Sequence, residues 1–157
     1  MIIIYLLSFD QAGKLGWSLF DTESKKLIDY GIEDFTKVRT PEGRISKIKT
    51  RMNELIITTK AEVFAIENIQ YQGMLNAYTF LAKLLGVVEN NFFEKEMVYI
   101  MVKSSEWKST CGVKGRKREE QKANAQAFVK EKFGIDVEED AADSICIGFH
   151  VITKILK

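Results

Sequence analysis

The order of strand-like and helix-like segments constrains the fold of this 157-residue chain more than any other feature. Three strand-like segments come first, and their close succession predicts an antiparallel meander. Helical and strand-like segments then alternate, which gives the predicted order β-β-β-α-β-α-β-α-α. This order predicts an α/β fold with a five-stranded mixed sheet and helices on both faces. One proline and no linker or internal repeat predict a single domain over residues 1–157.

Two kinds of apolar spacing separate the predicted strands from the predicted helices. Runs rich in β-branched and aromatic residues predict strands at 2–9, 17–21, 26–34, 63–67 and 97–102. Apolar residues three and four positions apart predict helices at 41–56, 74–92, 104–110, 122–133 and 139–155. Thr40 and Ser104 are the expected caps of the first and third helices, and Gly134 is expected to end the fourth.

Overall charge argues against a dedicated nucleic-acid binder, because 23 basic and 22 acidic residues leave a net charge of only +1. The charges are nevertheless separated along the chain. Segment 103–122 holds seven basic and three acidic residues, whereas segment 136–143 holds five acidic residues and no basic one. Two cysteines and apolar runs too short to span a bilayer predict a protein of the reducing cytoplasm with no membrane partner.

Four acidic residues lie at the edges of apolar segments, where burial should exclude them. Asp10 closes the first strand and Glu67 the fourth, while Asp140 and Asp143 share one face at the start of the last helix. Charges at the edge of a core are costly unless they are paired or bind a cation. If the first and fourth strands are parallel neighbours, their ends lie about 4.8 Å apart. The set then suits Mg²⁺, which prefers oxygen ligands.

Each of these carboxylates also has an ordinary explanation when it is taken alone. A strand-terminal residue such as Asp10 is most often a turn residue. Asp140 and Asp143 are acidic residues in the first turns of a helix, where the helix dipole favours them. The ordered set of four, each on the expected element, is much more specific than any one member.

The segments that carry these carboxylates resemble the RuvC family of Holliday junction resolvases, within the RNase H-like superfamily. The resemblance runs from residue 2 to about residue 152. It is carried by LSFDQAGKLGW (7–17), FAIE (64–67), DAADS (140–144), and Lys108 with the glycine and basic loop that follow. The resemblance implies an RNase H-like fold and four catalytic metal ligands: Asp10, Glu67, Asp140 and Asp143.

The function implied by the resemblance is that of a homodimeric endonuclease that cuts two opposing strands of a four-way DNA junction symmetrically. Two Mg²⁺ ions per site are expected, with Mn²⁺ as a substitute, and two such ions activate water and stabilise the leaving oxygen. The departures of this sequence from the family pattern, such as Gln11 and Gln70, fit a divergent bacteriophage-type member that acts in the host cytoplasm.

Three other functions stay open from the sequence. One is an RNase H-like nuclease that acts on forks, flaps, three-way junctions or RNA–DNA hybrids, since the carboxylates do not discriminate among substrates. A second is a non-catalytic junction-binding module, against which four intact carboxylates argue. A third is an actin-like nucleotide-binding fold, but that architecture needs two domains and this chain has the length of one.

Basic and exposed residues around the carboxylates predict the DNA contacts. The second basic position of the family falls within 114–118, with Lys117 or Arg118 favoured. Gln11 replaces a proline, and Gln70 replaces an aromatic residue, of many family members. The predicted DNA-binding residues are Lys103, Lys108, Lys114, Arg116, Lys117, Arg118, Gln70 and Tyr71.

The apolar residues of the predicted helix 74–92 cover a wider arc than one stripe. A helix of this kind usually contacts more than one surface. The second surface is either a second subunit or the core of the same chain.

Overall fold

The computed structural model describes residues 2–156, and its central element is a five-stranded sheet with the order β3-β2-β1-β4-β5. β1 pairs antiparallel with β2, and β2 with β3, whereas β1, β4 and β5 run parallel. The predicted mixed sheet is therefore confirmed. The strands are β1 (Tyr5–Asp10), β2 (Lys14–Asp21), β3 (Leu27–Asp34), β4 (Val63–Glu67) and β5 (Val98–Val102).

Helices cover both faces of the sheet, as the segment order predicts. No helix within residues 2–156 is long and apolar enough to cross a membrane. The helices are α1 (Pro41–Thr59), α2 (Leu75–Glu94), α3 (Ser104–Cys111), α4 (Arg118–Phe133) and α5 (Glu139–His150), which continues as a π-helical turn, Val151–Ile155.

Each face of the sheet has its own apolar core because successive strand side chains point to opposite sides. Leu7 and Phe9 of β1 pack under α1 and α2, whereas Leu6 packs under α3, α4 and α5. A strand that is buried on both faces must be apolar at nearly every position. This requirement explains why acidic residues occur only where β1 and β4 end.

Several element ends differ from the sequence prediction. β1 begins at Tyr5 instead of residue 2, and Ile2 is exposed. The cap of α1 is confirmed, because the Thr40 hydroxyl accepts a hydrogen bond from the Gly43 N–H at 3.0 Å. The predicted Ser104 cap is wrong: Ser104 is the first helical residue, and the Glu106 carboxylate instead accepts from the Lys103 N–H at 2.9 Å.

The fourth helix also departs from its predicted limits. α4 begins at Arg118, four residues before the predicted start. The prediction missed this first turn because it is polar and carries Glu119 and Glu120. Apolar spacing does not detect such a turn, although acidic residues there interact well with the helix dipole. Gly134 ends α4 in the left-handed conformation, as predicted.

Candidate active site

Two of the predicted carboxylates terminate neighbouring parallel strands. Asp10 is the last residue of β1, and Glu67 is the last residue of β4. The β1–β4 pairing ends at Phe9 and Ile66, so Asp10 and Glu67 are the next two residues of the same register. We call this pair the sheet wall.

The other two carboxylates lie at the start of α5, which packs on β1 and β2. We call Asp140 and Asp143 the helix wall. Gly16 of β2 pairs with Asp10, and a Cβ atom on Gly16 would lie only 2.1 Å from the Asp140 carbonyl oxygen. The helix backbone therefore touches the strand beside Asp10, which brings the two walls together.

The pKa shifts of these groups show that they interact. Burial raises the pKa of Asp10 well above its usual value, and the charges of Glu67, Asp143 and Asp140 raise it further. Burial raises the pKa of Asp143 to about 7, with further contributions from Glu67 and Asp140. Clusters of perturbed acids are typical of functional sites.

Burial also raises the pKa values of the remaining two carboxylates, but neighbouring groups oppose that effect. The Trp107 indole N–H and the Lys108 charge lower the pKa of Glu67. The charges of Lys122 and Lys14 lower that of Asp140. The cluster is therefore acidic at its centre and bordered by positive charge.

The donor set fits a hard divalent cation, since all four side chains offer carboxylate oxygens. Among residues 2–156, no three histidine, cysteine or acidic side chains converge closely enough to hold one ion by themselves. Mg²⁺ is usually bound by one or two carboxylates together with water and phosphate oxygens. Like charges in a buried cluster also repel one another and separate.

Two contacts to Glu67 were not predicted from the sequence. The Trp107 indole N–H donates to the Glu67 carboxylate at 3.0 Å, and the Gln11 side-chain amide contacts the Glu67 backbone. A buried tryptophan usually needs a hydrogen-bond acceptor, so Trp107 carries a weak sequence signal. The only sequence signal at Gln11 is that many family members have a proline at this position.

Two of the predicted basic residues are close enough to influence the carboxylates. Lys108, on α3, lowers the pKa values of Glu67 and Asp143, and Arg118, the first residue of α4, lowers those of Asp10 and Asp140. Of the two residues favoured for the family's second basic position, the structure brings Arg118 toward the cluster. The Lys108 ammonium group also lies 3.0 Å from the Gln121 amide oxygen and 5.5 Å from the centre of the Trp107 ring.

The remaining basic residues lie farther along the same surface. Lys103 follows β5 directly and is exposed, while Lys114, Arg116 and Lys117 are exposed in the loop between α3 and α4. Sequence reasoning missed Lys122, which forms an ion pair with Glu139 at 2.7 Å beside the helix wall.

Gln70 and Tyr71 lie in the loop that follows Glu67, at the same end of the sheet as the carboxylates. Both side chains are exposed, and 61% of Tyr71 is accessible to solvent. The Ser104 hydroxyl donates to the side-chain amide oxygen of Gln70 at 3.3 Å, and the Tyr71 ring packs edge-on against Tyr78. The loop thus presents an exposed aromatic side chain at the same end of the sheet as the acidic cluster.

Comparisons with known proteins identify the fold. At the level of sequence, no protein-family model and no curated protein matches the chain. Among solved structures, it is similar to Thermus thermophilus RuvC in complex with a Holliday junction substrate, with a TM-score of 0.75, 15% identity and coverage of 94% of this chain and 92% of that one.

Two further structures share the same architecture. The fowlpox virus resolvase, in complex with Holliday junction DNA, has a TM-score of 0.69 and 16% identity, covering 98% of this chain and 100% of that chain. The yeast mitochondrial Holliday junction resolvase has a TM-score of 0.62 and 18% identity, covering 94% and 77%. The chain therefore has the RNase H-like fold of the RuvC-type Holliday junction resolvases.

Proposed function

We propose that the chain is a structure-selective DNA endonuclease that resolves four-way junctions by Mg²⁺-dependent hydrolysis of phosphodiester bonds. One observation carries the proposal: four partly or fully buried carboxylates gather at the ends of β1 and β4 and at the start of α5. The fold supports it, because proteins of this fold have been solved with Holliday junction DNA.

The metal ligands in this proposal are Asp10, Glu67, Asp140 and Asp143. Bound Mg²⁺, two ions per site, would supply an activated water and stabilise the leaving oxygen of the phosphodiester. The protein's own contribution is to hold four acidic groups together at a cost in electrostatic repulsion. Lys108 and Arg118 reduce that cost. In this proposal they also contact a DNA phosphate close to the cleaved bond.

The DNA-binding surface extends from the carboxylates over the loop between α3 and α4. Exposed lysine and arginine side chains there favour phosphate contacts, which need local and not overall positive charge. Tyr71 offers an exposed ring on which an unpaired base can stack. The DNA-binding residues of this proposal are Lys103, Lys108, Lys114, Arg116, Lys117, Arg118, Gln70 and Tyr71.

A homodimer would account for symmetric cleavage, since a two-fold enzyme matches a two-fold junction. The apolar arc of α2 supports this part of the proposal. Only Leu84, Val88, Asn91 and Phe92 of α2 are buried within the chain, while Leu75 and Phe93 are 67% and 61% exposed. We expect sedimentation at micromolar concentration to give a dimer, and a monomer would contradict it.

One set of cleavage reactions tests the proposed activity. We expect Mg²⁺-dependent, paired nicks on a four-way junction, and weaker cleavage of a three-way junction, a fork, a flap and an RNA–DNA hybrid. Asp10→Asn serves as the inactive control. Faster cleavage of the hybrid or the flap would favour the other RNase H-like nuclease functions, and junction binding without cleavage of any substrate would favour a binding module.

A further inference from the structure

The side chain of Gln11 makes two hydrogen bonds to the backbone of a single residue across the sheet. Its amide nitrogen donates to the Glu67 carbonyl oxygen at 2.5 Å. Its amide oxygen accepts from the Glu67 N–H at 3.2 Å. The backbone pairing of β1 with β4 has already ended at Phe9 and Ile66. The Gln11 side-chain amide therefore makes the two hydrogen bonds that one more peptide group of β1 would make. It extends the β1–β4 pairing to Glu67.

This contact has a defined orientation and little access to water. Turning the amide around would place its nitrogen against the Glu67 N–H and its oxygen against the Glu67 carbonyl, which loses both bonds. Only 5% of Gln11 is exposed. A buried amide is costly without partners, so the side chain is confined to this arrangement.

The carboxylate of Glu67 is held separately from its backbone. The Trp107 indole N–H donates to one carboxylate oxygen at 3.0 Å, and Trp107 is 2% exposed within the core. Asp10 and Asp143 lie close enough to interact with the charge of Glu67. Repulsion from these acids acts to move the Glu67 side chain away, and the two contacts oppose that movement.

We propose that Gln11 and Trp107 are positioning residues that hold Glu67 ready to bind a divalent cation. Gln11 sets the position of the backbone, and Trp107 sets the direction of the carboxylate. This inference rests on the proposed metal-dependent function. Outer partners that orient a metal ligand typically contribute 10- to 100-fold to metal affinity or activity.

The test uses Gln11→Met, which keeps the length of the side chain and removes both hydrogen bonds, and Trp107→Phe, which removes the indole N–H. Mn²⁺ binding to the DNA-free protein is measured by calorimetry, and cleavage of a four-way junction is measured against Mg²⁺ concentration. We expect each variant to weaken Mn²⁺ binding about 10-fold. The Mg²⁺ concentration for half-maximal cleavage should rise by a similar factor, with junction affinity unchanged.

A matched control is Gln126→Met, which removes the hydrogen bond from the Gln126 amide to the Val137 carbonyl oxygen at 2.9 Å. It makes the same chemical change away from Glu67 and should leave both metal midpoints at the wild-type values. Melting temperatures with and without Mn²⁺ separate positioning from folding. A positioning role predicts a smaller Mn²⁺-induced rise, whereas a purely structural role lowers both temperatures equally.

Wild-type metal midpoints in both Gln11→Met and Trp107→Phe would overturn the inference and leave the proposed function intact. An equal loss of melting temperature with and without Mn²⁺ would also overturn it. A wild-type chain that neither binds Mn²⁺ nor cleaves any branched substrate would instead overturn the proposed function, and this inference with it.

Discussion

The sheet wall and the helix wall of the acidic cluster are positioned by different kinds of contact. In the sheet wall, Glu67 is held by directional hydrogen bonds from Gln11 and Trp107. In the helix wall, Asp140 is placed by close packing, since the α5 backbone leaves no space for a Cβ atom on Gly16. A lost hydrogen bond should therefore disturb the first wall, and an added methyl group the second.

The rest of α5 shows how far the packing contact extends. The Ser18 hydroxyl of β2 donates to the Ser144 carbonyl oxygen at 2.8 Å. Farther along the helix, a Cβ atom on Gly148 would lie 2.5 Å from the Phe20 ring. Small residues at both ends of this contact let the helix approach the sheet, and only the first end lies beside the carboxylates.

The largest expected effect comes from neutralising one carboxylate in each wall. Asp10→Asn and Asp143→Asn should each reduce junction cleavage by on the order of 100-fold or more, because losing a metal ligand costs more than losing its outer partner. Junction binding, measured by gel shift without divalent cations, should persist. Cleavage at the wild-type rate by either variant would remove that residue from the site.

The second-largest expected effect distinguishes the two ends of the contact between α5 and the sheet, at Gly16 and at Gly148. Gly16→Ala pushes the helix away beside Asp140, so we expect cleavage to fall by on the order of 10- to 100-fold, as a small misplacement of reacting groups does. Gly148→Ala overfills the same interface about two turns beyond Asp140. Each should destabilise the fold by about 1–3 kcal/mol.

Urea unfolding and single-turnover cleavage of both glycine variants measure this difference. We expect similar losses of stability but a much larger loss of cleavage for Gly16→Ala. Equal losses of cleavage would mean that general stability, and not the position of the helix wall, limits activity.

Neutralising the basic residues of the loop between α3 and α4, together with Arg118 at the start of α4, should act mainly on DNA affinity. Replacing Lys114, Arg116, Lys117 and Arg118 by glutamine should weaken junction binding. The slope of the logarithm of affinity against the logarithm of salt concentration should become shallower by about one for each lost phosphate contact. Binding titrations at several salt concentrations measure the slope. An unchanged slope would exclude these residues from the DNA surface. Glutamine at Lys25, Lys26 and Lys132 is the control, since these three residues line one pocket at the β2–β3 turn, which lies at the opposite end of β1 from Asp10.

The smallest effect is a pH dependence of stability without divalent cations. The folded-state pKa of Asp143 is about 7, above its usual value of 3.8, so the folded state retains a proton that the unfolded state releases. Its stabilisation is complete below pH 4 and is lost as the pH rises to about 7. Asp10 acts in the same direction.

We therefore expect the melting temperature in a chelator to fall by about 5 °C between pH 5 and pH 7. Calorimetry checks this, with Asp143→Asn as the variant in which the fall should be smaller. Mg²⁺ added at pH 8 should restore the melting temperature, because a cation replaces the proton. A melting temperature that rises with pH would contradict the assignment.

Much of the fold was predictable because local spacing reflects burial. β4 was predicted to the residue, since an apolar run of five ends abruptly at Glu67. The start of α4 was missed because a polar first turn carries no apolar spacing. The set of four carboxylates was predicted from charges at the ends of buried segments, and the resemblance added their expected catalytic role. Assignment of the site residues, the single domain and the cytoplasmic location remain predictions.

The sequence alone determined the order of strands and helices, because apolar spacing and terminating charges are properties of neighbouring residues. Only the tertiary structure decided how Glu67 is held, since Gln11 lies 56 residues and Trp107 40 residues from it. It also brought Arg118 toward the carboxylates and left Lys117 in the exposed loop. Hydrogen bonds and charge interactions depend on distance in space, and strand register and helix packing set that distance.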